Sequence, residues 1–220
     1  SVAVVEHIAL DLPFGALLHF RKDSTVVLPK VLLVAPMSGH FATLLRGTIT
    51  VLLADHDVYV TDWKNARDIA ISDGDFGLDD FIDHLILFQQ AIGPGSHIIA
   101  VCQPAVAALA ATAVMAETRD PARPRSLTLM AGPIDTRINP TRVNDLAQSR
   151  PIAWFEKNLI ARVPLRYHGG GRSVYPGFIQ LSAFMSMNLD RHLAAHLNQF
   201  RAMIGGDGAT SQAHRQFYDE

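Results

Sequence analysis

Cys102 is the only cysteine in the 220-residue chain, and it stands where a strand pattern gives way to a helix pattern. The apolar run 97–101 precedes it, and the alanine-rich stretch 103–117 follows it. A sharp turn between a strand and a helix can present a nucleophile above the edge of a sheet. A thiol at such a turn would carry out acyl transfer through a thioester. A structural cysteine buried in the core is the alternative, and position alone leaves both interpretations open.

The residues around Cys102 partly follow the small-x-nucleophile-x-small pattern that a tight turn requires. Ala100 fills the first small position, whereas Pro104 replaces the glycine expected at the second. Proline is acceptable there because the first turn of a helix needs no N–H at that position. A cysteine at a helix start would also have its thiolate favoured by free backbone donors and by the helix dipole.

The loop 35–41 follows the first continuous apolar run, 30–36, and predicts part of an oxyanion hole. Such a hole takes one N–H from the residue after the nucleophile and a second from the loop after an early strand. Gln103 and Met37 are therefore the predicted donors, with Ser38 as the alternative to Met37. An ordinary strand-to-helix connection is the competing interpretation, and we expect His40 to be structural.

Three other motifs imitate functional sites, and their context argues against each. The string His-Gly-Gly-Gly at 168–171 lies downstream of Cys102, so it predicts a flexible loop instead of an oxyanion motif. His192 and His196 stand four residues apart but lack a third ligand, so we predict no metal site. The acidic segment 73–80 lacks the spacing of a calcium-binding loop and predicts a turn followed by a helix start.

Composition bounds the class of protein. The chain is 49% hydrophobic, which allows one sizeable core, and its 19 basic and 21 acidic residues give no reason to expect a nucleic-acid partner. No signal peptide is predicted, because the chain does not open with a basic region followed by an apolar one. No membrane span is predicted, because no apolar stretch approaches about 20 residues. The sequence does not determine the oligomeric state, and it predicts no cofactor.

Strand and helix patterns alternate along the first part of the chain. Buried-strand runs at 30–36, 57–62, 97–101 and 126–132 are separated by helical patterns at 41–53, 78–91 and 103–117, after two short strands at 2–7 and 16–20. This alternation predicts an α/β fold with a mostly parallel sheet over residues 1–135. Residues 136–220 show helical stretches without a buried strand and are predicted to form a cap or lid.

The partners of a thiol nucleophile are not evident. Acyl transfer needs a histidine to move protons and a carboxylate to orient it, and in α/β-hydrolases both follow the nucleophile. Asp135 is a conceivable acid, but no histidine follows in a strand–loop context. Because the chain starts at Ser1 and stops at Glu220 without these elements, we expect a fragment with the C-terminal strands missing.

Several long strings resemble the intracellular poly(3-hydroxybutyrate) depolymerases. They are Val-Ala-Pro-Met-Ser-Gly-His-Phe-Ala-Thr-Leu-Leu-Arg-Gly at 34–47, Tyr-Val-Thr-Asp-Trp at 59–63, Ala-Val-Cys-Gln-Pro-Ala at 100–105, Met-Ala-Gly-Pro-Ile-Asp-Thr-Arg at 130–137 and Phe-Met-Ser-Met-Asn-Leu-Asp-Arg-His at 184–192. The resemblance implies an α/β-hydrolase fold, Cys102 as the nucleophile, and Asp and His partners beyond residue 220. The related polyhydroxyalkanoate synthases also use a cysteine, but this chain resembles them less around Gln103 and Pro104.

The resemblance implies a polyhydroxybutyrate depolymerase that cleaves polyester bonds through a Cys102 acyl-enzyme. The chemistry of a thioester allows either water or coenzyme A as the acceptor. The resemblance also implies a cytoplasmic, granule-associated protein whose partner is the polymer or the granule surface. The predicted cap helix 176–187 would either contact polymer or pack on the core. The alternatives are a polyhydroxyalkanoate synthase or thioesterase of the same fold, and a non-catalytic granule-binding fragment.

Overall fold

The computed structural model describes residues 4–23, 26–37, 41–186 and 189–218. The chain forms two compact units. The first comprises Ser1–Asp135 and Arg162–Arg172, and the second comprises Thr136–Ala161 and Ser173–Glu220. The first unit thus takes in a segment, Arg162–Arg172, from within the region predicted to be a helical cap.

A six-stranded sheet forms the centre of the first unit. Its strands are β1 (Val5–Asp11), β2 (Gly15–Arg21), β3 (Lys30–Val34), β4 (Asp57–Trp63), β5 (His97–Val101) and β6 (Leu127–Met130). They lie in the order β1-β2-β4-β3-β5-β6. The hairpin β1–β2 joins β4 in antiparallel fashion, whereas β4, β3, β5 and β6 are mutually parallel. This mostly parallel arrangement confirms the predicted α/β class.

Three helices connect the parallel strands, namely α1 (Phe41–Leu52), α2 (Leu78–Ile92) and α3 (Ala105–Glu117). Successive side chains of β3 point to opposite faces of the sheet. Val31 and Leu33 pack in one core cluster with Ile49 of α1, while Leu32 packs in another with Phe88 of α2. The strand is therefore buried on both faces, which its continuous apolar run predicts.

Two elements differ from the sequence prediction. β1 continues to Asp11, beyond the predicted strand 2–7, because Asp11 and Ala16 remain paired across the hairpin. Most of β1 is exposed, so its side chains lack the apolar alternation that reveals a half-buried strand. The helix α8 (Gly208–Tyr218) was not predicted, and its polar composition explains why.

The segment 162–172 packs within the first unit through a buried arginine. The guanidinium of Arg172 donates hydrogen bonds to the carbonyl oxygens of Gly74 at 2.6 Å and Ala70 at 2.6 Å, and it lies over the ring of Phe14. Gly169 allows the close approach, since a Cβ there would lie 2.5 Å from the Ala66 carbonyl oxygen. Residues 168–171 form the predicted loop, and backbone hydrogen bonds from Gly169 to Arg67 and from Gly171 to Val163 hold it in place.

The second unit is mainly helical. It contains α4 (Arg142–Ser149), α5 (Ile152–Leu159), α6 (Gly177–Ser186), α7 (Leu189–Gly205) and α8, with a short ribbon of β7 (Ala161–Arg162) and β8 (Ser173–Val174) where the chain changes units. α7 and α8 pack together, and Gln199 donates a 3.0 Å hydrogen bond to the Ser211 hydroxyl. Across the described ranges of both units, no helix has the length and apolarity needed to cross a membrane.

Candidate active site

Cys102 lies in the turn between β5 and α3, with a free and solvent-exposed thiol. Its φ angle is +68°, in the left-handed region that residues with a side chain rarely adopt. Strain of this kind persists only where the surrounding structure enforces it. This combination of strand, strained turn and helix matches the geometry in which α/β-hydrolases present their nucleophile. The exposure of the thiol is inconsistent with a cysteine buried in the core.

The backbone around Cys102 is fixed on both sides. Its N–H donates a 2.7 Å hydrogen bond to the carbonyl of Met130 on β6, and its own carbonyl accepts a 3.1 Å bond from the N–H of Ala105. Pro104 has helical dihedral angles, φ −60° and ψ −15°, and its carbonyl accepts from Ala108. Proline thus enters the first turn of α3 without the loss of a needed donor.

Gly132 is a residue of the site that the sequence reasoning did not single out. A Cβ added to Gly132 would overlap the Cβ of Ala105 and lie 3.0 Å from the carbonyl oxygen of Cys102. The small-residue pattern predicts close packing two residues from Cys102. In the structure the closest packing is between Ala105 and Gly132, which follows β6. A glycine at the end of an apolar strand run, here 126–132, is the sequence signal for such a close approach.

The two predicted oxyanion donors leave the same edge of the sheet as Cys102. β3 and β5 pair in parallel up to Val34 and Ala100, and Met37 and Cys102 follow three and two residues later. Within the part of the chain that the structure describes, neither Met37 nor Gln103 donates a backbone hydrogen bond. Two unused N–H groups at the carboxyl edge of the sheet are suited to bind an oxyanion.

Ser38, the alternative donor, and His40 lie outside the described residues. Their assignments, and the oxyanion role of Met37 and Gln103, stay predictions. Met37 is 45% exposed.

The start of this loop is held by side chains of the neighbouring strand β4. Thr61 accepts a 2.9 Å hydrogen bond from the N–H of Ala35, and the indole N–H of Trp63 donates a 2.9 Å bond to the Ala35 carbonyl. Both backbone groups of one residue are thus satisfied by side chains. This arrangement fixes the direction in which the chain leaves β3.

A hydrogen-bonded His–Asp pair does occur, but at the other end of the sheet. His19 Nε2 and the Asp57 carboxylate are 2.7 Å apart, and Asp57 begins β4, whereas Cys102 follows the end of the parallel β5. His19 also stacks on the ring of Tyr59 at 4.1 Å. Burial, followed by the adjacent Asp57 charge, raises the pKa of Tyr59 to about 12. This cluster stabilises the sheet and does not complete a triad with Cys102.

Other histidines of the first unit also bond elsewhere. His97 bonds the Ser126 hydroxyl at the start of β5, and His84 lies 2.8 Å from the Asp80 carbonyl. His56 is paired with its neighbour Asp55.

The remaining candidate motifs have local structural roles where the structure describes them. Asp80, in the acidic segment, caps α2 by accepting a 2.7 Å hydrogen bond from Gly77, in agreement with a helix start. His196 stacks edge-on against His214 at 5.1 Å, while the side chain of His192 is outside the described residues. Among the residues whose placement is described, no three His, Cys, Asp or Glu side chains form a metal-binding group.

Comparison with known proteins supports the resemblance for part of the chain. Residues 131–220 match a family described as PHB de-polymerase C-terminus. The resemblance to polyhydroxybutyrate depolymerases is thereby confirmed over this region. No curated protein sequence matches the chain.

Among solved structures, the chain is similar to naproxen esterase from Bacillus subtilis (14% identity, 67% of this chain and 49% of that one, TM-score 0.46). It is also similar to a thioesterase domain from the curacin biosynthetic pathway (14% identity, 66% and 50%, TM-score 0.44) and to a membrane phospholipase A (13% identity, 89% and 63%, TM-score 0.49). The chain spans about half the length of the first two. The strand order, the parallel sheet and the elbow at Cys102 define an α/β-hydrolase fold.

Proposed function

We propose that this chain carries the nucleophile and the oxyanion hole of an enzyme that cleaves the ester bonds of polyhydroxybutyrate. The observation that carries the proposal is the exposed Cys102 thiol, held at φ +68° between β5 and α3. The match of residues 131–220 to PHB depolymerases supports the polymer as substrate, in preference to a polyester synthase reaction. The protein would act in the cytoplasm, on or near storage granules.

The reaction would proceed through a thioester. The thiolate of Cys102 attacks the ester carbonyl, and the resulting oxyanion accepts hydrogen bonds from the N–H groups of Gln103 and Met37. Collapse of this intermediate breaks the bond to the ester oxygen, so the shortened polymer leaves as an alcohol after protonation. The resemblance implies that the histidine that moves this proton, and its aspartate partner, lie beyond residue 220.

The nucleophile assignment is tested by the release of 3-hydroxybutyrate from granules by the full-length enzyme. Cys102→Ala should reduce the rate by about 10⁴-fold or more, because loss of a nucleophile typically has this effect. Gln103→Ala is the matched control, since its backbone N–H is retained and its side chain is exposed. Normal release by Cys102→Ala would overturn the assignment and favour a non-catalytic role for this residue.

The acyl acceptor is either water or coenzyme A. A thioester at Cys102 can pass its acyl group to another thiol with little change in bond energy, so thiolysis to a hydroxyacyl-CoA is as accessible as hydrolysis. Granules incubated with the enzyme should yield hydroxyacyl-CoA when CoA is added and free acid when it is absent. Free acid alone under both conditions would exclude thiolysis.

Contact with the granule is proposed for helix α6. Phe178 is 72% exposed and Leu181 is 54% exposed, so the helix presents apolar surface to solvent. Replacing both by serine should weaken co-sedimentation with polyhydroxybutyrate granules, whereas Ile152→Ser, an equally exposed apolar change on α5, should not. Equal loss in both variants would indicate non-specific adsorption.

A further inference from the structure

We propose that Thr61 and Trp63 are positioning residues that set the orientation of the Met37 N–H in the oxyanion hole. The inference rests on the proposed function, because it assigns a role in ester attack by Cys102. Neither side chain is expected to touch the substrate. They act on the backbone of Ala35, two residues before the proposed donor.

The regular hydrogen bonding between β3 and β4 ends before Ala35. β3 and β4 pair in parallel as far as Leu33 and Val60, and Ala35 lies beyond this pairing. Its N–H and C=O would otherwise need water or a neighbouring strand, yet Ala35 is only 1% exposed. The Thr61 hydroxyl and the Trp63 indole N–H satisfy both groups, each at 2.9 Å.

The side chains of Thr61 and Trp63 are held by their surroundings. Thr61 is fully buried. The indole of Trp63 packs edge-on against Phe81 at 4.7 Å, and on another side it approaches Gly15 so closely that a Cβ there would lie 2.8 Å from the ring. These contacts on two sides restrict the rotation of the indole and therefore the direction of its N–H.

A single residue, Pro36, separates Ala35 from the proposed donor Met37. Pro36 follows Ala35, and its ring holds φ near −65°. Few backbone torsions therefore remain between the clamped residue and the N–H of Met37. Release of either hydrogen bond should let this N–H rotate, and loss of an oxyanion donor lowers acylation rates by up to about 10²–10³-fold.

The test compares two reactions of the same Cys102 thiolate in the full-length enzyme. Attack on p-nitrophenyl 3-hydroxybutyrate forms a thioester, expels p-nitrophenolate and passes through an oxyanion. Alkylation by iodoacetamide forms a carbon–sulfur bond, expels iodide and forms no oxyanion. Both rates are proportional to the fraction of Cys102 present as thiolate, so their ratio does not depend on that fraction. The ratio therefore measures the stabilisation of the oxyanion.

In Thr61→Val and Trp63→Phe we expect this ratio to fall about tenfold or more, with alkylation unchanged within about twofold. Thr61→Ser retains the hydroxyl and should restore the ratio. Thr112→Val, which removes a hydroxyl bonded to the Ala108 carbonyl inside α3, and Trp154→Phe are the controls and should leave it unchanged.

Each result decides between the alternatives. If the wild-type full-length enzyme is alkylated at Cys102 but never acylated, the proposed function fails and this inference fails with it. If the wild type is acylated and the ratio in the variants is unchanged, the positioning role alone is overturned. Should Thr61→Val not fold, as judged by circular dichroism, Trp63→Phe gives the same decision.

Discussion

Gly132 packs so closely against Ala105 that no side chain fits between the chain leaving β6 and the first residue of α3. The same glycine lies against the carbonyl of Cys102, which in turn accepts a hydrogen bond from Ala105. The strained turn is therefore held from the neighbouring strand as well as through its own backbone.

This packing predicts that Gly132→Ala is destabilising. The added methyl group must displace Ala105, and overpacking of this kind typically costs about 1–3 kcal/mol of unfolding free energy. Gly47→Ala in α1 is the control, since a Cβ there meets nothing within 4 Å. Alanine should stabilise that helix by up to about 1 kcal/mol. Urea denaturation of both variants checks the prediction, and equal stability of the two would contradict it.

Cys102→Gly should be more stable than Cys102→Ala. Glycine relieves about 1–2 kcal/mol of left-handed backbone strain, which exceeds the roughly 0.5–1 kcal/mol of extra conformational entropy it loses on folding. Ala110→Gly, within α3, should instead lose about 1 kcal/mol. Denaturant midpoints measure the three differences. A Cys102→Gly protein less stable than Cys102→Ala would mean that the turn is not strained.

Because the guanidinium of Arg172 is buried, we expect the unfolding free energy to depend strongly on this residue. Arg172→Lys keeps the charge but cannot reach the three carbonyl oxygens of Gly74, Ala70 and Ile69 at once. We expect a loss of about 2–3 kcal/mol in unfolding free energy. Arg162→Lys, whose exposed guanidinium bonds one carbonyl, should change stability by less than about 0.5 kcal/mol. Similar losses in both would refute the role of burial.

Tyr59 predicts a loss of stability in alkaline solution. Its pKa rises from 10.0 in the unfolded chain to about 12 in the folded protein, so folding favours the protonated phenol. The resulting stabilisation is complete below pH 10 and is lost as the pH rises towards 12. Because the ring is only half-buried, we expect about 1 kcal/mol after solvent screening.

The measurement is the unfolding free energy of wild type and Tyr59→Phe between pH 9 and pH 11.5. The unfolding free energy of wild type minus that of Tyr59→Phe should fall as the pH rises. Lysine titration does not affect this difference, because both proteins contain the same lysines. A difference that stays constant would show that the Tyr59 proton is not held by the fold.

The sequence predicted the elements whose side chains alternate between buried faces or repeat with a helical period. β3, β5 and α2 are clear examples, because their apolar residues form the core. It also located the elbow, since Cys102 separates a strand run from a helix run. These patterns are local, because buried positions are apolar and recur with the period of the strand or helix.

The supports of the site could not be predicted in the same way. The bonds from Thr61 and Trp63 to Ala35, and the contact between Gly132 and Ala105, join residues distant in sequence. Such contacts depend on strand order, which periodicity does not encode. The anchoring of 168–171 was missed for the same reason, since Arg172 bonds carbonyls about 100 residues earlier.

Cys102 is proposed to form the covalent intermediate. This is tested by mixing the full-length enzyme with p-nitrophenyl 3-hydroxybutyrate, quenching within seconds and measuring the intact mass and the modified peptide by mass spectrometry. We predict one hydroxybutyryl group, attached to Cys102 and released by hydroxylamine, and none on Cys102→Ala. Ester cleavage at the wild-type rate by Cys102→Ala, or a hydroxybutyryl group on another residue with Cys102 unmodified, would contradict the account.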